Sequence, residues 1–353
     1  MKINLSKSEL EKSYCLLDTK EINMSVAELL FSTFEEKEFF TGAKSPFEFY
    51  GKLIEYWNIP RDDFEELKIL EKWVKGAISP LNHAFFDNNS YFKAINPAPF
   101  KQGEYQLGYD TFKAYQPFSL NDIEVDDNDY FLERSPISYF TTDEKYLALS
   151  YKGEVWMSIT PNEINTMQPY IDEAKGNVLV LGLGLGYYPF MISEKEDVKK
   201  IIVVELDQNV INIFKEHLLP LFPHKEKITI IKGDAIEYLA KNKLHYNYIF
   251  ADLWHNPEDG LPIYFKLKEI EKRYTFGKFQ YWLEKSLLAM LRRCLLTVYE
   301  ESLQGYSDKD YQKAGNDIDK IINVLYFKTK NITINKYDDI YNLLRDESLL
   351  RLL

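Results

Sequence analysis

Cysteine is almost missing from this chain: Cys15 and Cys294 are the only two among 353 residues. That excludes a disulfide framework and a cysteine zinc cluster, and makes a reducing, cytoplasmic setting the expectation. Histidine is nearly as scarce. His83, His217, His224, His245 and His255 show no spacing that builds a metal site, so none is expected. No apolar run approaches the ~20 residues that span a bilayer, and Met1-Lys2-Ile3-Asn4-Leu5-Ser6 lacks the apolar stretch of a signal peptide. A soluble chain with no membrane partner is therefore expected. Basic side chains are also short in number, 43 against 55 acids, for a net charge of −12. This balance repels polyphosphate and argues against a nucleic-acid partner, while favouring a cationic one. The acids crowd most densely from Asn121 to Asp129, which reads more readily as a solvated loop than as an amine-recognition site.

What the chain has in quantity is aromatic residues, 26 Tyr, 23 Phe and 5 Trp, and a length that suits two domains. Aromatics on helices are more often core than ligand platform. Residues 1–135 read as a helical N-terminal domain on the lid or acceptor side. Ser45-Pro46-Phe47-Glu48 combines a cap, a first-turn proline and a glutamate three residues on, predicting a helix to about Trp57. Asp62 and Glu65 repeat the arrangement, with Phe64, Leu67, Ile69, Leu70, Trp73, Val74 and Ala77 at helical spacing. Asn96-Pro97-Ala98-Pro99 then breaks the pattern.

Within 136–160 the period changes to two. Tyr146 to Tyr151, the turn Lys152-Gly153, and Glu154 to Ile159 predict a β-hairpin. Thr160-Pro161-Asn162-Glu163 predicts a capped helix to about Ala174. The sharpest signal follows. Val178 to Leu181 reads as a strand buried on both faces, and Gly182, Gly184 and Gly186 then allow a tight turn that brings bare backbone against a ligand. Ile201 to Val204 is a second strand ending on Glu205, roughly 20 residues past the glycines, where a ribose diol is usually gripped. A helix with Val210, Ile211, Phe214, Leu218 and Leu219 leads to Ile228 to Ile231 and Gly233-Asp234-Ala235. Tyr248 to Ala251 then ends on Asp252. Successive strands thus bring acids or glycines to one edge of an α/β sheet.

These residues resemble the class I S-adenosylmethionine-dependent methyltransferase superfamily, and most closely its spermidine-synthase-like branch. The resemblance rests on Val178 to Gly186, on Val203 to Asp207 with Val210-Ile211, on Gly233 to Leu239, and on Tyr246 to Asp252. It implies a Rossmann-like domain, placed at 161–304, that binds S-adenosyl-L-methionine. By that resemblance Gly182, Gly184 and Gly186 pass close to the donor's methionine part and ribose, and Glu205 accepts from both ribose hydroxyls. Leu206 touches the adenine, Asp234 takes its exocyclic amine, and Ala235 offers a backbone donor. Asp252 holds the donor's amino group, orients the acceptor or takes a proton, and His255 is a second candidate base.

Departures from the branch bear on function. Val180 stands where many methyltransferases carry an acid, as an apolar residue does in aminopropyltransferases. The Asp-Ser-Ser-Asp-Pro type of sequence after the fourth strand is replaced by Asp252-Leu253-Trp254-His255-Asn256-Pro257. The leading expectation is methyl transfer to a small molecule or protein side chain. The alternatives are aminopropyl transfer and a non-catalytic nucleotide-binding protein. The branch often dimerises, so a homodimer is also implied. Gly277 to about Gln304 reads as one long helix, with no fifth strand. Ile332-Thr333-Ile334 is the only later strand candidate, set in a helical extension at 305–353 with helices at Asp317 to Phe327 and Tyr337 to Leu353.

Overall fold

The computed structural model describes residues 1–36, 38–60, 67–68, 72–73, 78–241, 244–274, 276–312 and 315–353. At its centre lies a five-stranded, all-parallel sheet. In chain order the strands are β5 (Gly176–Leu181), β6 (Val198–Glu205), β7 (Ile228–Lys232), β8 (Tyr248–Ala251) and β9 (Lys278–Tyr281), the labels β1 to β4 belonging to an earlier sheet described below. Their spatial order is β7-β6-β5-β8-β9. Val178, Leu179, Val180 and Leu181 are buried because β5 is flanked by strands on both edges and covered on both faces. The connections run one way from β5 to β6 and β7, and the other way to β8 and β9. The crevice between the carboxyl ends of β5 and β8 is the place where such sheets bind ligands.

β9 overturns one expectation. Lys278 to Tyr281 is not the start of a helix but the fifth strand, paired residue for residue with Tyr248 to Ala251. Phe279, Trp282, Leu283 and Leu287 share a helical spacing, which hid the alternation of Phe279 and Tyr281. The helix starts only at Glu284, after Leu283 turns the chain with a φ of 53°. No antiparallel closing pair follows among the described residues.

The N-terminal region is helical only in part. Helix α1 (Lys7–Glu35) and helix α2 (Pro46–Tyr56) form as patterned, α2 with Ser45 as its cap. The helix expected around Asp62 to Ala77 falls mostly outside the described residues. Two short helices follow at Ala84–Asp87 and Ser90–Ala94, and from Phe100 to residue 135 the expectation of helix fails and strands take over. β1 (Phe100–Gln102), β2 (Tyr105–Phe112), β3 (Glu144–Tyr151) and β4 (Glu154–Ser158) make an antiparallel sheet in the order β4-β3-β2-β1. The expected hairpin is thus one half of a larger sheet, whose other half was legible in the alternation of Tyr105, Leu107 and Tyr109.

Helix α3 (Pro161–Glu173) carries the full reciprocal cap of Thr160 and Glu163. It is tied to the far edge of the parallel sheet by Trp282, which donates to Thr166 Oγ1 over 2.9 Å, and by Tyr170, which donates to the Tyr281 carbonyl over 2.8 Å. The C-terminal helices do not form a separate extension. In α8 (Glu284–Leu303), Glu300 pairs with Lys20 of α1 at 2.7 Å and Tyr299 donates to Ser13 at 2.7 Å. Residues Lys2–Ile3 pair in parallel with Thr333–Ile334, so the two ends of the chain share one packed layer. The acidic stretch at 121–129 is likewise structural. Arg134 pairs with Asp126 and Asp129, and Asp122 caps the start of α8.

Candidate active site

The turn after β5 begins with Gly182, whose φ is 95°. A Cβ there would stand 1.9 Å from the Asp252 carbonyl oxygen, so only glycine lets β5 and β8 converge at their ends. Gly184 differs, since a Cβ there would meet nothing within 4 Å. It lines a cavity of about 960 Å³. Gly186 caps helix α4 (Tyr187–Ser193), and the Phe214 ring occupies the space a side chain on it would need. From below, Tyr91 donates to the Leu185 carbonyl over 2.7 Å and fixes the turn.

Glu205 ends β6 on the cavity wall and is only 9% exposed. Its Oε2 accepts from the Leu183 N–H at 3.0 Å and its Oε1 from the Asp207 N–H at 2.7 Å. Each oxygen keeps a further lone pair, so the carboxylate is preset to accept from a vicinal diol. Leu206 follows, just ahead of helix α5 (Gln208–Ile213), an apolar side chain 64% exposed that lines the cavity. Asp234 and Ala235 line the same side, where Asp234 Oδ1 accepts from the Glu237 N–H and starts helix α6 (Ala235–Lys241).

At the other end of the cavity two carboxyl groups come together. Asp252, half-buried past the end of β8, is pushed up to about 7 by burial, with the charge of Glu205 adding to the effect. Glu163, half-buried in the first turn of α3, is pushed up to about 8 by burial and by Asp252, against the opposing hydrogen bond from the Thr160 N–H. Among the described residues no cation pairs with either group. Sequence reasoning recognised Glu163 as a cap but missed this second surrounding, which depends on the packing that brings the first turn of α3 to the cavity Asp252 lines.

The antiparallel sheet roofs the cavity. Trp156 of β4 donates its indole N–H to His255 Nε2 over 3.0 Å, and His255 Nδ1 meets Asp259 at 3.0 Å. Tyr105 of β2 donates to Asp207 over 2.8 Å, next to Glu205. Both ring nitrogens of His255 are therefore engaged in hydrogen bonds, whereas Asp252 has no hydrogen-bond partner for its carboxyl among the described residues. His255 is instead part of the start of helix α7 (Pro257–Glu271), which Asn256 and Asp259 cap reciprocally. The structure thus gathers Gly182, Gly184, Glu205, Leu206, Asp234, Ala235, Asp252 and His255 around one cavity. Gly186 supports the turn from behind. Trp156, Tyr105 and Glu163 join the site from outside the region that carried the resemblance or from a helix read only as scaffold.

The sheet order, the glycine turn and the acid ending the second strand define a Rossmann-like α/β fold. Within it, residues 162–275 match the spermine/spermidine synthase domain, a span of less than half the chain. No curated protein matches the sequence. Among solved structures, the spermidine synthase from Thermotoga maritima is similar with 17% identity over 42% of this chain and a TM-score of 0.30. The similar part spans about half of that protein, 54% of its length. A Klebsiella pneumoniae protein assigned as an O-methyltransferase is similar with 12% identity, covering 47% of this chain and 66% of its own, at a TM-score of 0.29. PigF, solved with SAH, is similar with 19% identity over 33% of this chain and 35% of its own, at a TM-score of 0.26.

Proposed function

We propose that this chain is a transferase that takes S-adenosyl-L-methionine as a sulfonium donor and moves its methyl group to an amine-bearing small molecule or protein side chain. The observation that carries the reading is Glu205. Its two oxygens are aligned by the Leu183 and Asp207 N–H groups beside a glycine turn, on the wall of a cavity large enough for a nucleoside with its side chain. The residues fit the donor: Glu205 accepts from the ribose, Leu206 offers uncovered apolar surface to the base, and Gly184 leaves the turn open. When bound, the donor supplies an activated carbon on sulfur. The chain's task is then alignment, exclusion of water by the Trp156 roof, and removal of a proton from the incoming amine. Asp252, pushed up to about 7 inside the cavity, is placed to hold that proton.

A second reading, aminopropyl transfer from a decarboxylated donor, draws on the matched domain and on the cation-free acids at the Asp252 end. A third, binding without turnover, remains a distinct outcome. The coproduct separates them. The protein is incubated with each donor and a panel of primary amines, and the nucleoside released is identified by mass spectrometry. S-adenosylhomocysteine supports methyl transfer, methylthioadenosine supports aminopropyl transfer, and a bound donor that is never consumed supports the third.

A further inference from the structure

The cavity is mixed in charge at one end and acidic at the other. Lys232 and Lys266 line it on the β7 and α7 sides, but neither acts on Glu163 or Asp252. The groups that face Glu163 are Asp252 from the end of β8, the phenol of Tyr91, and the phenol of Tyr146 on β3, behind which lies Asp110. Asp252 is faced by Glu205 in turn. One oxygen of Glu163 accepts from the Thr160 N–H and the Asp252 carboxyl accepts from nothing among the described residues, so both carboxyl groups have acceptor capacity left toward the cavity they line. A metal does not fit this need, since no group of three His, Cys, Asp or Glu among the described residues is arranged to hold one.

We propose that Glu163 and Asp252 form an ammonium subsite in which Glu163 is the specificity-determining residue, surrendering a proton to solvent when an aliphatic ammonium seats against the pair. The proposal deepens the donor reading above, because the ammonium sits beside the donor's reacting end. The cation comes either from the donor's own side chain or from the acceptor. Two carboxyl groups in one half-buried place cannot both ionise cheaply, so the empty site retains a proton. A cation removes that restraint and both ionise. Affinity for an ammonium ligand therefore rises with pH while the empty pair is still protonated, and levels off once Glu163, near 8 in the empty site, ionises unaided. A Glu163 that merely capped α3 would produce neither proton release nor this slope.

The test is calorimetric titration at about pH 7.5 in two buffers of different ionisation heat, which counts protons released per ligand bound. The ligands are 5′-methylthioadenosine, which lacks an ammonium, decarboxylated S-adenosylmethionine, which carries one, and butylamine added to protein saturated with methylthioadenosine. Glu163→Gln is compared with the native chain, since glutamine retains an oxygen for the Thr160 N–H. The expected result is that methylthioadenosine releases no proton, whereas one of the ammonium ligands releases about half a proton or more, lost in Glu163→Gln. Release with the decarboxylated donor assigns the subsite to the donor, and release with butylamine assigns it to the acceptor. In the native chain, affinity for that ligand rises by about tenfold per pH unit between pH ~7 and ~8, more steeply below ~7 where Asp252 is protonated as well, and flattens above ~8, a readout independent of any variant's folding. The proposal is overturned if no ammonium ligand releases a proton, or if the release persists in Glu163→Gln. Failure of methylthioadenosine to bind defeats the donor reading instead, and butylamine titrated into the ligand-free protein still decides the subsite.

Discussion

Trp156 and His255 meet across the mouth of the cavity, the indole N–H donating to the imidazole Nε2 over 3.0 Å. With Asp259 on Nδ1, this arrangement suits an imidazole that carries its proton on Nδ1. Protonation of Nε2 would set two donors against each other and open the contact between the antiparallel sheet and the loop after β8.

Removing the indole donor should therefore loosen the roof without touching the nucleoside wall. Trp156→Phe is expected to weaken donor affinity by about 2- to 10-fold, the worth of one hydrogen bond, mainly through faster dissociation in stopped-flow measurements. His255→Ala should behave similarly. A loss of turnover of ~100-fold or more in His255→Ala would instead mark the histidine as the base.

The glycines of the turn separate folding from binding. Gly182→Ala drives a methyl group into the Asp252 carbonyl, 1.9 Å away, and should cost several kcal/mol or abolish folding altogether. Gly184→Ala meets no protein atom, so its cost is limited to about 1–2 kcal/mol of left-handed backbone strain. Denaturant titration should show that difference, and calorimetry should show Gly184→Ala folded but impaired in donor binding.

The carboxyl pair gives the ligand-free protein a distinctive pH dependence. A carboxyl group whose folded pKa is raised favours folding below its unfolded value and loses that contribution as pH rises toward the folded one. For Asp252 and Glu163 the window opens near the ordinary carboxylate range, 3.8 and 4.5, and closes near 7 and 8. Tm should fall between pH ~5.5 and ~8.5. Glu163→Gln should flatten the descent. A Tm that stays level or rises across that interval in the native chain would contradict the pairing.

Asp122 accepts from Ser286 Oγ at 2.5 Å and from the Lys285 N–H at 3.2 Å, joining the acidic stretch to the first turn of α8. Asp122→Ala should destabilise the fold by about 1–3 kcal/mol, because it strands the Ser286 hydroxyl and the Lys285 N–H. Donor affinity should stay unchanged. A large loss of amine binding with full stability would restore the reading of this stretch as a recognition loop.

Much of the nucleotide half was legible because its signals are local. A buried strand, a glycine turn and an acid at the next strand end sit within thirty or so residues, and each depends on its own backbone. What escaped depends on packing. Phe279 and Tyr281 alternate as a strand, yet with Trp282 and Leu283 they also fit a helix, and only pairing with β8 decides. Tyr105 to Phe112 has the period of a strand, but its partner Glu144 to Tyr151 lies more than thirty residues on, so the sheet could not be assembled from either segment alone. Glu163 was visible as a cap. Its place beside Asp252 is a tertiary fact.

The central claim is that Glu205 grips the ribose of an S-adenosylmethionine-type donor. The most direct measurement is calorimetric titration with S-adenosylmethionine and S-adenosylhomocysteine of the native chain and of Glu205→Ala, with folding of both verified by circular dichroism. Binding of both ligands is expected, weakened ~100-fold in the variant as two charge-assisted hydrogen bonds are lost. Absence of binding by folded native protein, or equal binding by Glu205→Ala, would contradict it.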